Sequence, residues 1–206
     1  MTTTELVGWA GTLTGIVLGL PQLVRLARTK NVEGLSLRAW QAMLAVNLGW
    51  TAHGIHIGQP PQIVASALSL VATVPILYLM SRQLHRSFVL TLVPGLILTA
   101  IMIAVDQLFG SAAYGVIAII PAIISNAGQS VALIRAEHVL GVSVVFLMLA
   151  AVNQVFWLTW AILVQDQGTI IVAVTTGTIA VFNLGWYVAR RVGLPALGHS
   201  APNATF

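Results

Sequence analysis

The chain has 206 residues, of which 58% are hydrophobic and only 7% are charged, and it contains no cysteine. A soluble domain carries about 25% charged residues, so this composition excludes a water-soluble protein and indicates an integral membrane protein. The net charge of +4 does not indicate nucleic-acid binding, because the basic residues are spread over four short segments. The lack of cysteine excludes disulfides, thiol redox chemistry and thiolate metal sites.

Six uncharged runs predict the helices, because a helix needs about 20 apolar residues to cross the hydrocarbon core. Five runs fit one crossing each, and the second is twice as long. Pro60 and Pro61, near the middle of that run, predict a break, because proline lacks an amide hydrogen. We therefore predict an all-α membrane protein with seven transmembrane helices. The runs are Leu6–Val24, Ala39–Ser81, Ser87–Val105, Gln107–Ile134, His138–Gln165 and Gln167–Ala189.

The charges between the predicted helices indicate the orientation. The N-terminus and the turns after helices 2, 4 and 6 carry only Glu5, Asp106 and Asp166. Positive residues concentrate in cytoplasmic loops, so we expect an outside N-terminus, a cytoplasmic C-terminus and a multi-pass protein of the plasma (inner) membrane. All basic residues follow helices 1, 3, 5 and 7: Arg25, Arg28, Lys30, Arg38, Arg82, Arg86, Arg135, Arg190 and Arg191.

The sequence also gives a prediction for each end of the chain. No basic residue precedes Glu5, which favours a retained first helix over a cleaved signal peptide. Residues 192–206 are rich in Gly, Pro, Ala and Ser, and we expect them to form a disordered cytoplasmic tail.

An internal repeat appears when the chain is shifted by 107 residues. It maps helix 1 onto helix 5 and helix 2 onto helix 6, so we expect a first unit at 5–83, a linker helix at 87–107 and a second unit at 111–190. A single linker helix makes the two three-helix bundles parallel, which is a known transporter architecture with its site at the repeat interface. The paired residues are Gln22 and Gln129, Arg28 and Arg135, Val32 and Val139, Gly34 and Gly141, Ser36 and Ser143, and Trp50 and Trp157.

These residues carry a resemblance to a known family. The pair Pro21-Gln22, followed by a basic loop and Gly34-x-Ser36, resembles the PQ-loop superfamily. The arrangement of three, one and three helices resembles the SWEET sugar transporters in particular. The stretch Trp50-x-x-His53-Gly54-Ile55, followed by Pro61-x-Ile63, is similar to the bacterial half-size SemiSWEET proteins. Such half-size proteins dimerise to make one pore, whereas this chain holds both halves. The sequence is therefore compatible with a monomer and with a homo-oligomer.

Uncharged polar side chains within the helices are candidates for solute binding. Asn47 and Trp50 share one face of helix 2, and Asn153 and Trp157 share one face of helix 6. Amides can pair with hydroxyl groups and indole rings can stack on a sugar, so we expect a neutral solute such as a mono- or disaccharide. The alternative is that these side chains only hold helices together. The predicted binding residues are Trp50, Trp157, Asn47, Asn153, Asn126 and Ser66.

The resemblance also implies amides that this chain lacks. Sugar-transporting relatives carry an asparagine early in the third helix of each unit, and the matching positions here are Ser66 and Ala173. Asn47, Asn126 and Asn153 are candidates to supply amides from other helices.

Two groups of residues are candidates for gates. Pro21, Gln22 and Gln129 lie near the predicted cytoplasmic side, where a proline within a helix permits bending. A fixed kink is the alternative. His53 and Trp160 lie near the outer side. Their two alternative roles are an extracellular gate and an interfacial aromatic belt.

The sequence favours a transporter that moves a small neutral solute, most simply a sugar, by facilitated diffusion with alternating access. No ionisable residue lies at a helix midpoint, which favours a uniporter over proton symport unless His53 or His56 titrates. The alternatives are another solute, such as an amino acid, and a non-transporting receptor or assembly protein. There are no paired carboxylates, no nucleophile–base pair and no His/Asp metal spacing, so we expect no enzyme, no cofactor and no metal site.

Overall fold

The computed structural model describes residues 1–30, 35–135, 139 and 142–197. Within the helices, seven side chains lie outside this description: Leu20, Gln22, Leu23, Leu26, Ala27, Ala127 and Ala132. The described chain is helical and contains no strand. Most of the predicted tail, residues 198–206, also lies outside the described residues.

The described residues form seven helices, which confirms the predicted fold class. Helix α1 spans Thr3–Thr29, α2 spans Leu37–His56 and α3 spans Pro60–Gln83. The segment Phe88–Arg135 contains two helices that meet at Gly110, and we number them α4 (88–109) and α5 (111–135). Helix α6 spans Val144–Val164 and α7 spans Gln167–Arg191.

The chain folds back at Gly110, whose backbone angles are φ 81° and ψ 178°. A residue with a Cβ atom rarely adopts such angles, so glycine suits this position. A Cβ atom added to Gly49 of α2 would touch both Met102 and Tyr114, which lie on opposite sides of the turn. Helices α4 and α5 therefore both pack against α2.

Polar side chains and proline begin the helices that follow short loops. Ser36 accepts a hydrogen bond from the Ala39 amide at the start of α2, and Ser143 accepts one from the Phe146 amide at the start of α6. These caps satisfy amides that have no partner within the helix. Pro60 begins α3, where its missing amide hydrogen is not needed. The Gly-x-Ser motif of each half therefore ends in a helix cap.

The helices pack as two groups of three. In the first group, α3 contacts both α1 and α2; in the second, α7 contacts both α5 and α6. The groups meet where α1 contacts α6 and where α2 contacts α5. Helix α4 packs on the outside of α2, and the Gln41 side-chain amide donates a hydrogen bond to the Thr91 carbonyl at 2.8 Å.

The protein is an integral, multi-pass membrane protein by the length and composition of its helices. Four described segments are long and apolar enough to cross a membrane: Pro60–Gln83, Phe88–Asn126, Val144–Val164 and Gln167–Arg191. The second of these includes most of α4 and α5. Large apolar side chains on the outer surface, such as Leu90 and Phe109, are about 70% exposed, as lipid-facing residues are.

The two ends of the bundle differ in charge. One end, which we call the acidic end, carries Glu5, Asp106 and Asp166. The other end, which we call the basic end, carries Arg82 and Arg86 at and after the end of α3. It also carries Arg28 in the last turn of α1 and Arg190 and Arg191 in the last turn of α7. This separation is the charge asymmetry on which the predicted orientation rests.

Candidate functional site

A cavity of about 230 Å³ lies between the two groups of helices. Every helix except α4 contributes to its wall, and we call it the central cavity. None of the described residues that line it is charged. Its polar lining is made of amides and hydroxyls, among them Asn47, Gln62, Ser66, Asn126, Gln154 and Thr176. The cavity can therefore accept hydrogen-bonding groups without providing a counter-ion.

Trp50 on α2 and Trp157 on α6 both line the central cavity. Trp50 is 9% exposed, and its ring makes an edge contact with Tyr114 at a centroid distance of 4.9 Å. Trp157 makes an edge contact with Trp160 at 5.5 Å. A Cβ atom at Gly11 would lie 3.3 Å from the Trp157 ring, so the small residue lets α1 approach it closely. Both halves of the chain thus place an indole at the cavity.

Three more of the predicted binding residues line the central cavity, namely Asn47, Asn126 and Ser66. Asn47 is held in place, since its side-chain amide donates to the Thr73 hydroxyl at 2.9 Å. Asn126 is exposed, and its amide donates to the Ala122 carbonyl one turn earlier. Ser66 is half-buried in the wall.

Asn153 has a different place from the other predicted binding residues, because it is not among the residues that line the cavity. Its side-chain amide donates to the Gly11 carbonyl and to the Thr14 hydroxyl, both at 2.7 Å. These hydrogen bonds tie α6 to α1. This geometry is that of a side chain that holds helices together, the stated alternative to solute binding.

Sequence reasoning missed several polar residues of the cavity wall. Gln62 is buried in α3, and its side-chain oxygen has no hydrogen-bond partner among the described residues. Gln154 accepts a hydrogen bond from the Thr176 hydroxyl at 2.8 Å, which joins α6 to α7. Both glutamines stand in apolar runs, and that was the available signal. Ala173, at the position where the resemblance implies an asparagine, also lines the cavity.

A polar cluster lies beyond Trp50 at the acidic end, and we call it the histidine–aspartate cluster: His53, His56, Asp106 and Asp166. His53 Nδ1 lies 2.8 Å from Asp106 Oδ2, and His53 Nε2 lies 3.3 Å from both carboxylate oxygens of Asp166. His56 Nδ1 lies 3.1 Å from the same Asp106 oxygen. The cluster therefore joins α2 to α4 and, across the two groups of helices, to the start of α7.

Asp166 is the most heavily bonded member of the cluster. It caps α7 by accepting hydrogen bonds from the Gly168 and Thr169 amides, and the hydroxyls of Ser111 and Thr169 also donate to it. Burial raises the pKa of Asp166, but the hydrogen bonds from His53, Ser111 and Thr169 and the charge of His53 outweigh burial and lower it to about 2. Asp166 is therefore an anion that organises three helices.

The side chains between the central cavity and the acidic end are buried. His53 is 1% exposed and Trp160 is fully buried, with Gly8 of α1 packed against the indole. Such burial is not that of an interfacial aromatic belt, which would face lipid headgroups. On the basic-end side of the cavity, Ser69 and Asn126 are exposed. The named side chains toward the acidic end are therefore more deeply buried than those on the opposite side of the cavity.

The three remaining gate candidates lie toward the basic end. Pro21 lies within α1 and is exposed, and Gln129 lies within α5 and is half-buried. The side chain of Gln22 lies outside the described residues. The proposed roles of these residues stay predictions.

The first two helices of the chain match a known repeat. Residues 3–63 match the PQ loop repeat. The matched stretch covers α1 and α2 and includes Pro21, Trp50 and His53, so it supports an assignment to the PQ-loop superfamily. A search among curated proteins finds no match to the chain.

Proposed function

We propose that this protein is a membrane transporter that moves a small neutral solute, a sugar in the first instance, by alternating access. The observation that carries the proposal is the uncharged central cavity, which six helices from both halves of the chain surround. A match to the PQ loop repeat over residues 3–63 agrees with a transporter or a related protein.

The wall of the cavity supports a neutral, hydroxyl-rich solute. Trp50 and Trp157 offer flat faces on which the apolar side of a sugar ring can stack, and Asn47 and Asn126 offer amides that can pair with hydroxyl groups. A charged solute would need a counter-ion in this low-dielectric setting. The volume of about 230 Å³ is below the roughly 300–1,000 Å³ of drug-sized pockets, which favours a monosaccharide over a larger sugar.

The packing of the helices supports an alternating-access mechanism. We assign the first repeat to residues 5–83 and the second to 111–190, with α4 as the linker between them. The contacts of α1 with α6 and of α2 with α5 are equivalent under an exchange of the two repeats. Rocking of one repeat against the other would open the cavity to one side at a time.

The gates follow from the same scheme. His53 and Trp160, which are buried at the acidic end, form the outer gate. Pro21, Gln22 and Gln129 form the cytoplasmic gate. The N-terminus then faces outside, the C-terminus faces the cytoplasm, and the protein lies in the plasma (inner) membrane. Because the described cavity wall holds no charged group, we propose a uniporter that needs no coupling ion.

Counterflow of radiolabelled glucose and sucrose in proteoliposomes tests this function. Saturable flux that unlabelled sugars compete for is the expected result, with glucose favoured over sucrose. Competition by neutral amino acids alone would replace the sugar by another solute class. The absence of flux from correctly folded protein, for all solutes of the panel, would overturn the transporter and favour a receptor or an assembly protein.

A matched pair of variants links the flux to the cavity. Trp157→Leu and Trp50→Leu remove a flat ring from the cavity wall, whereas Trp9→Leu removes an indole of α1 that is not among the lining residues. We expect up to about a tenfold loss of flux for the first two and little change for the third, since one lost stacking contact is worth about 0.5–1.5 kcal/mol. Equal flux in all three would remove the two indoles from the binding site.

A further inference from the structure

We propose that His53, His56 and Asp106 form a binding site for a divalent transition-metal ion, of which Zn²⁺ is the best fit, at the acidic end of the protein. The sequence did not indicate this site, since the histidines and the aspartate are about 50 residues apart in the chain. Helix α4 brings the carboxylate to the two imidazoles.

The three donor atoms are already spaced as the ligands of one ion. His53 Nδ1 lies 2.8 Å and His56 Nδ1 lies 3.1 Å from Asp106 Oδ2, and each of the three residues places one ligand atom within 4.8 Å of the other two. Ligands about 2.0–2.1 Å from a tetrahedral zinc ion are roughly 3.3 Å apart. Small side-chain rotations would therefore open the space for an ion. Two imidazoles and one carboxylate are a donor set that suits zinc, nickel and copper rather than magnesium or calcium.

The exposure of the ligands provides a route for the ion. His53 and Asp106 are almost fully buried, whereas the side chain of His56 is 43% exposed. An ion can therefore reach the site from the solvent beside His56, and a water molecule can complete its coordination there. The second oxygen of Asp106, Oδ1, is buried without a hydrogen-bond partner among the described residues. A metal ion would satisfy this oxygen through bidentate coordination.

The hydrogen-bond partner of His53 is the kind that metal-bound histidines have. With Nδ1 on the ion, Nε2–H can donate to Asp166, whose oxygens lie 3.3 Å away. Metal-bound histidines usually donate their other ring nitrogen to a carboxylate in this manner, which fixes the tautomer and the ring. Asp166 is itself held by the hydroxyls of Ser111 and Thr169. Asp166 is thus a positioning residue for the site.

An ion at this site would strengthen the proposed outer gate. It would bond α2 to α4, and it would keep His53 directed at Asp166 on α7. We therefore expect Zn²⁺ to inhibit solute flux when it is added on the acidic-end side; this consequence, unlike the binding itself, rests on the proposed function.

Metal binding to the purified full-length chain tests the proposal without reference to transport. The protein is purified with an affinity tag that contains no histidine, and it competes with a fluorescent zinc indicator in detergent or in nanodiscs. We expect one Zn²⁺ per chain, bound at micromolar or lower concentration, and no displacement by millimolar Mg²⁺. Failure to bind any Zn²⁺ below millimolar concentration would overturn the site.

His56→Ala is the decisive variant, because its partly exposed side chain can be removed without disturbing the core. We expect at least about a tenfold loss of zinc affinity, while His85→Ala, at the basic end, binds as the parent protein does. Asp166→Asn should weaken binding about 10–100-fold and keep the stoichiometry of one. Unchanged affinity in His56→Ala, or an equal loss in His85→Ala, would contradict the assignment.

The binding and flux results separate the two proposals. Zinc binding without solute flux would support the metal site and remove the transporter. Flux without zinc binding would do the reverse.

Discussion

The ring of Tyr114 on α5 lies parallel to the imidazole of His53 on α2, with ring centroids 4.5 Å apart and an interplanar angle of 6°. Tyr114 also makes an edge contact with Trp50, so a single buried side chain supports both the histidine–aspartate cluster and the cavity wall. The stack crosses from the first group of helices to the second. Its loss would therefore affect the acidic end and the cavity together.

Two substitutions at Tyr114 should have opposite outcomes. The Tyr114 hydroxyl is buried without a hydrogen-bond partner among the described residues, so Tyr114→Phe should leave stability unchanged or raise it slightly. Tyr114→Ala removes the ring and leaves a cavity, and should cost about 3–5 kcal/mol. Thermal unfolding in detergent measures both. A large loss in Tyr114→Phe would show that the hydroxyl has a partner.

Gly115 on α5 lies directly against Gly168 at the start of α7. A Cβ atom at Gly115 would come within 2.7 Å of the Gly168 Cα and carbonyl oxygen, so the two backbones touch. Gly115→Ala must push α7 away and should destabilise the protein by about 1–3 kcal/mol. Gly128→Ala is the matched control on the same helix, since a Cβ atom there meets nothing within 4 Å. It should be neutral or stabilising by up to about 1 kcal/mol. Equal stability of the two variants would contradict this close packing.

Asn153 and Trp157, one turn apart on α6, should give different kinds of defect. Asn153→Ala removes two hydrogen bonds to α1 and should lower stability by about 1–3 kcal/mol, with the solute affinity of the folded fraction little changed. Trp157→Ala should reduce the flux per folded molecule, in addition to any stability that it loses through the missing ring. The two variants are compared by thermal unfolding and by counterflow on matched amounts of folded protein. A pure affinity defect in Asn153→Ala would return this residue to the binding site.

Asp166 should matter for folding even where no solute or metal is present. Asp166→Ala removes the cap of α7 together with the hydrogen bonds to His53, Ser111 and Thr169. Loss of the cap alone costs about 0.5–2 kcal/mol, and the buried partners left behind add to that cost. Asp166→Ser keeps a capping oxygen and should recover part of the stability. The measurement is thermal unfolding with a chelator present, and identical stability of the two variants would argue against the cap.

The helices and their order could be predicted from the sequence because local rules govern them. The thickness of the bilayer determines the length of an uncharged run, so seven helices followed from the spacing of charged residues. Pro60 and Pro61 marked the turn between α2 and α3, since proline cannot continue a helix. Trp50 and Trp157 could be chosen as cavity residues because they stand at one position of the internal repeat.

Only the tertiary structure decided which distant groups meet. Asp106 and Asp166 are 53 and 113 residues from His53, and the sequence shows them only as charges at helix ends, yet α4 and the start of α7 bring both carboxylates to one imidazole. Asn153 lies one turn before Trp157 on α6, but its amide binds the Gly11 carbonyl of α1, and it is not among the residues that line the cavity. Helical periodicity defines the face of one helix, whereas the rotation of that helix and the identity of its neighbours follow from packing against all the others.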